Sequence, residues 1–177
     1  ARLGDDTLMQ RAAAGLAAVV LRELRARRGA ASGARVLLVV GSWMGRTVAA
    51  LRNGLTSIDT MWYHLPAAVR FIQTGRLTGV PIQDSDSITS YYPLTSSIFH
   101  AVGLLAFDSD LVSVFVNLGW FAVVVACAAH IGNQYGRSAA AVLATTGVLA
   151  TPALVETQPA SALTDVVGLA LLFITVA

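Results

Sequence analysis

Leu111-Val112-Ser113-Val114-Phe115-Val116-Asn117-Leu118-Gly119-Trp120-Phe121-Ala122-Val123-Val124-Val125-Ala126-Cys127-Ala128-Ala129-His130-Ile131 holds no Asp, Glu, Lys or Arg over 21 residues. A helix needs about 20 apolar residues to cross the hydrocarbon of a bilayer. This run meets that length, and it sets the reading of its surroundings: an all-α, polytopic membrane helix bundle.

Composition agrees. Hydrophobic residues make up 55% of the chain and charged residues 12%, whereas soluble domains carry about 25% charged residues. Mean hydropathy is +0.67. All 12 basic residues are Arg, which fits a GC-rich coding bias. The net charge of +2 lacks the clustered basic face that nucleic acid requires, so nucleic acid is excluded as a partner. The single Cys127 sits in the apolar run and reads as a small buried hydrophobe, with no disulfide framework or metal site.

Downstream, Gly132-Asn133-Gln134-Tyr135-Gly136-Arg137 is a short basic link. Ser138 to Val155 is expected to form another span, and Leu163 to Ala177 begins a further one. Upstream, Leu94 to Phe107 has only 14 residues and includes Thr95, Ser96, Ser97 and His100. That is short of a span's usual length, so it reads as an interfacial or re-entrant helix; if it spans instead, Asp165 moves to the cytoplasmic side. Residues 53–92 form a polar loop of 40 residues, long enough to need structure of its own. Within it, Pro66 suits a first helical position and Ala67 to Thr74 ends at Gly75, which predicts at least one short helix within 60–75.

Ala34 to about Leu51 is the first expected span. Arg46 would be costly at mid-bilayer, so it is placed toward the outer end with Arg52, where both reach headgroups. Residues 1–33 read as a cytoplasmic amphipathic segment, and residues 34–177 as the membrane module. Arg22, Arg25, Arg27 and Arg28 form the densest basic cluster, which puts this end in the cytoplasm. The loop 53–92 is then outside and 132–137 inside, so that Asp59, Glu156 and Asp165 share the outer face. Because the chain starts at Ala1 and ends within an apolar run, it is read as the N-terminal part of a larger membrane protein.

Chemistry is expected in the outer loop. Ser57-Ile58-Asp59-Thr60-Met61-Trp62-Tyr63-His64-Leu65-Pro66 combines a carboxylate with aromatics that favour the membrane interface. Asp84 and Asp86, among serines, read as a solvated turn. Asp165, before Val166-Val167-Gly168-Leu169, is either a helix cap, together with Thr164, or part of a site.

The order Asp59 to Pro66, then Gly75, then Tyr91-Tyr92-Pro93-Leu94 resembles the first extracytoplasmic loop of the GT-C glycosyltransferases. The branch it looks like includes protein O-mannosyltransferases and the aminoarabinose transferase. There, an acidic residue is followed by a Tyr, a Gly closing a short interfacial helix, and a Pro-Leu lead-in to the next apolar segment. Pro152 to Asp165 resembles that family's second acidic position. The resemblance covers residues 35–177. Many relatives have two consecutive acids where this chain has Asp59-Thr60, and a Lys-Pro-Pro or Pro-Pro where it has Tyr92-Pro93, so a lysine contact to lipid phosphate is lacking.

The resemblance implies transfer of a sugar from a polyprenyl-phosphate donor to a glycan, lipid or protein acceptor. The reaction would occur outside the bacterial plasma membrane, in an integral membrane enzyme. One-step displacement at the anomeric carbon inverts configuration and needs a base for the acceptor proton, a role that falls to Asp59. Tyr63, His64, Tyr92 and Asp165 are candidate substrate contacts. Arg70 and Arg76 are candidates for the leaving phosphate, since Arg presents a planar fork of donors. His64 is either an orienter of Asp59, a metal ligand or a structural residue. The cofactor is left open, a divalent metal included. Two other classes compete: a transporter or flippase with an intramembrane polar pathway, and a non-catalytic scaffold of GT-C type.

Overall fold

The computed structural model describes residues 30–76, 92 and 94–177. The readings of residues 1–29, Asp84, Asp86, Tyr91 and Pro93 lie outside the described residues. Among the described residues every regular element is helical.

Helix α1 spans Ala30–Asn53, starting before and ending after the expected Ala34–Leu51. It stops at Gly54, whose φ of 80° only glycine adopts freely. Thr60–His64 form a π-turn, which runs into α2, Leu65–Thr74. The short loop helix is thus where Pro66 and Gly75 put it: Pro66 lies in its first turn, and Gly75 (φ 68°) closes it by donating to Phe71 O at 2.7 Å. Helix α3 covers Thr95–Phe107. A 3-10 turn, Asp110–Val112, leads into α4, Ser113–Gln134.

The continuous helical stretch Asp110–Gln134, 25 residues, is the one described helix long and apolar enough to cross a membrane. The 24-residue α1, which carries Arg35, Arg46 and Arg52, does not qualify on the same measure. The expected span Ser138–Val155 is broken in two: α5 is Ser138–Leu149 and α6 is Pro152–Thr157. Proline cannot continue the hydrogen-bond ladder, and it drives the preceding residue out of the helical region. Thr151 accordingly sits at φ −60°, ψ 141°. The last helix, α7, begins at Asp165 and runs to Val176.

Helix α4 is central. It turns tightly through Tyr135–Arg137 into antiparallel α5. It lies parallel to α7, because Asn117 near its start bonds Leu163 O while Gln134 near its end bonds Ala177 O. The core gathers Trp43, Phe121, Val124, Leu149, Val166 and Val167. Trp43 and Phe121 stack with centroids 4.7 Å apart, and the Trp43 indole N–H donates to Leu149 O at 3.4 Å, at the end of α5. Cys127, expected to be buried, is half-buried.

The distribution of side chains on α3 is inverted relative to a water-soluble helix. Its buried residues are Ser96, Ser97, His100, Ala101 and Gly103, while Phe99, Val102, Leu105 and Phe107 are exposed. Water would select the opposite pattern. Small and polar residues at helix contacts with large apolar ones outside is the arrangement favoured in lipid.

Candidate active site at one end of the bundle

A long-range bond fastens the π-turn to the segment between α6 and α7: Ala162 N donates to Thr60 Oγ1 at 2.9 Å. Thr60 and Ala162 are both fully buried. Behind them, Asn117 of α4 donates to Gln158 O at 2.9 Å and Leu163 O at 3.1 Å. Ser161 Oγ donates to Gln158 O at 2.9 Å and accepts from Leu163 N at 3.3 Å. The non-helical backbone at 158–164 therefore has side chains in place of a helix ladder, as buried backbone groups require. Gln158 then reaches forward: its Nε2 donates to Asp165 Oδ2 at 2.6 Å, and its Oε1 accepts from Val166 N at 3.2 Å. Thr164 occupies the cap position without a side-chain bond, so the cap of α7 is Gln158.

This scaffold holds two cavities. The first, of about 430 Å³, is lined by Asp59, Arg46 and Glu156 with the hydroxyls of Thr56, Ser57 and Ser161. Arg46 Nη1 donates to Glu156 O at 3.2 Å, bridging α1 to α6 and aiming the guanidinium at the cavity that Asp59 lines. The second, of about 410 Å³, lies between α3 and α7 and includes Ser96 and Asp165. Asp59, Glu156 and Asp165 thus lie at the same end of the bundle, yet Asp59 and Asp165 line different cavities.

Tyr63 and His64 stand where the fields of both aspartates meet. Burial lowers the His64 pKa to about 4, although Asp59 and Asp165 both pull it upward. Burial raises the Tyr63 pKa, and Asp59, Tyr92 and Asp165 add to the rise. The Tyr63 ring packs on His64 at 4.3 Å and meets Tyr92 edge-on at 5.4 Å. His100 also falls to about 4, through burial and then the proximity of His64. His64 Nδ1, both ring nitrogens of His100, and the hydroxyls of Ser96 and Ser97 are buried without a hydrogen-bond partner among the described residues. A π-turn at such a place is notable, since these rare turns occur frequently at functional sites.

Of the residues singled out from sequence, Asp59, Tyr63, His64, Tyr92 and Asp165 come together at this end. Arg70 and Arg76 are exposed and line neither cavity. The cation that lines the Asp59 cavity is Arg46, which its sequence setting in an apolar run marked only as a membrane-insertion cost. Gln158 and Asn117 carried no sequence signal beyond a polar residue in an apolar context. Among the described residues, no three His, Cys, Asp or Glu side chains are placed to hold a metal ion, so no chemical step here is routed through one.

No protein-family model matches the chain, and no solved structure matches it. A stretch of 42 residues, 24% of the chain, is 57% identical to the bifunctional NAD(P)H-hydrate repair enzyme Nnr of Mycobacterium leprae (strain TN). The match spans 9% of that protein's length. So short a match assigns this chain to no family.

Proposed function

We propose that this chain is part of an integral membrane glycosyltransferase of GT-C type. It would move a sugar from a polyprenyl-phosphate donor to an acceptor on the outer face of the bacterial plasma membrane. The observation that carries the reading is the shared cavity: Asp59 and Arg46 line one space, at the end of a bundle whose helix α3 is turned apolar side out. An acceptor hydroxyl attacks the anomeric carbon, and its proton passes to the Asp59 carboxylate. The bond from that carbon to the phosphate oxygen breaks, and the phosphate leaves with the electron pair. A guanidinium stabilises that developing charge by paired hydrogen bonds. Glu156, a second carboxylate in the cavity, accepts from sugar hydroxyls. The product is inverted because a single displacement occurs.

The proposal is tested with the full-length protein in proteoliposomes supplied with radiolabelled polyprenyl-phosphate hexose or pentose and membrane-extracted acceptors. Label passing to an acceptor, and lost in Asp59→Asn, is the expected result. Intact donor under every pairing overturns it.

A transporter reading draws support from one observation, the break at Thr151–Pro152 within what would be a continuous span, because broken helices mark transport sites. Movement of a labelled lipid phosphate between leaflets without sugar transfer would favour that reading.

A further inference from the structure

We propose that the cavity between α3 and α7 binds an uncharged amphiphile, with hydroxyl groups at one end and hydrocarbon at the other. The inference rests on the membrane reading above and concerns a second site, apart from the cavity of the proposed transfer. It does not need the transfer chemistry to be right.

The lining changes character along one direction. Asp165, Gly168 and Leu171 recur every third residue on one side of α7, so the cavity wall follows that helix for about 9 Å. Thr164 and Asp165 stand at the start of α7 and toward Leu171 that wall is apolar; Thr95 and Ser96 of α3 add hydroxyls to the same cavity. Hence the ligand's polar head lies at the start of α7, and its tail runs along the helix, as a lipid chain lies along a span.

Ser96 decides that the polar end is a site. It is fully buried, lines the cavity, and its Oγ has no partner among the described residues. A hydroxyl both donates and accepts, so it is fully satisfied only by a group that does both. Asp165, with Oδ2 already held by Gln158, accepts from a ligand O–H. No Arg or His lines the cavity, so an anionic head would meet the Asp165 carboxylate with no cation to offset the repulsion. An ammonium head would satisfy Asp165 but accept nothing from Ser96. A hydroxylated, uncharged head fits both residues.

Gly168 supplies the control. A Cβ there meets nothing within 4 Å, so Gly168→Leu projects into the cavity while raising helix propensity, which keeps folding out of question. The experiment uses the full-length protein in nanodiscs and an octyl glucoside carrying a diazirine at its tail end. Photolabelling should fall on the α7 peptide containing Val167 to Leu171, and unlabelled octyl glucoside should compete. Ser96→Ala should weaken labelling about three- to tenfold, the value of one hydrogen bond, and Gly168→Leu should remove it. Undiminished labelling in Gly168→Leu, or label spread without preference, overturns the site. Octyl phosphate or octylammonium competing as well as the glucoside overturns the ligand class. Because the readout is binding without turnover, a failed transfer assay leaves this result standing, and the reverse also holds.

Discussion

Gln158 and Asp165 are joined at 2.6 Å, Nε2 to Oδ2, and the same Gln158 amide accepts from Val166 N at 3.2 Å. One buried side chain thus does two jobs: it caps α7 and orients the carboxylate at its start. Gln158→Leu keeps similar volume but leaves the Val166 N–H unpartnered inside the protein. A loss of about 2 kcal/mol is expected, since a buried orphaned donor costs 1–3 kcal/mol, read as a lower melting temperature in detergent. Gln158→Glu should be worse at neutral pH, because it sets two carboxylates in contact. If Gln158→Leu melts with the native protein, the cap is not structural.

Thr60 is tested by shape-matched replacement. Thr60→Val preserves the packing but removes the oxygen that accepts from Ala162 N, so about 1–2 kcal/mol should be lost, while Thr60→Ser retains it. The segment 158–164 should become more accessible to proteolysis in the valine variant alone. Equal behaviour of the two variants would mean that the bond does not hold the loop to the bundle.

How much of this was legible beforehand follows from where the signal lies. Pro66 and Gly75 announce the loop helix because each imposes a backbone angle locally, and the 21-residue apolar run announces α4 by length. Pro152 was equally visible, yet apolar content across Ser138–Val155 masked it as one span; the local rule against a proline inside a helix prevails. The acids were expected on one face from a count of crossings, of which the described residues support one, Asp110–Gln134. Arg46 as partner of the Asp59 cavity was not legible, because it depends on α1 meeting α6, a contact between residues 110 positions apart.

The buried histidines predict a stability that falls in mild acid. The pKa values of His64 and His100 are about 4 when folded, against 6.5 for the free side chain. Between those values the unfolded chain takes up protons that the folded chain refuses, so stability is full above pH 6.5 and declines as pH drops toward 4. Asp59 and Asp165 oppose the shift in His64 without cancelling it. Melting temperatures measured from pH 8 to 4 should show the decline, and replacing both histidines by glutamine should flatten it. A decline that persists in the double variant assigns the effect to other groups.

The α4–α5 corner allows no side chain at Gly132. A Cβ there would lie 2.6 Å from Ala141 Cβ and 2.8 Å from Ser138 Cα, the latter backbone. Gly132→Ala should therefore cost about 1–3 kcal/mol by overpacking. Gly119→Ala on the same helix, where a Cβ meets nothing within 4 Å, should be neutral or slightly stabilising. Comparable melting temperatures for the two variants would show that the helices separate freely at the corner.

Asp59 gives the sharpest comparison. As the general base it must accept a proton; as a structural residue it need only hydrogen-bond. It sits at the cap of the π-turn with no side-chain capping bond, so Asp59→Asn removes no cap and keeps the shape. If Asp59 is the base, transfer by the full-length enzyme should fall by about 10²–10⁴-fold while donor binding and melting temperature stay near native. Arg46→Gln should act differently: it removes charge from the cavity wall and a bond to Glu156 O. Donor binding should weaken and melting temperature should drop slightly. Should Asp59→Asn retain transfer while Asp165→Asn abolishes it, the base lies in the other cavity. If neither substitution matters, the shared cavity of Asp59 and Arg46 does not carry the reaction.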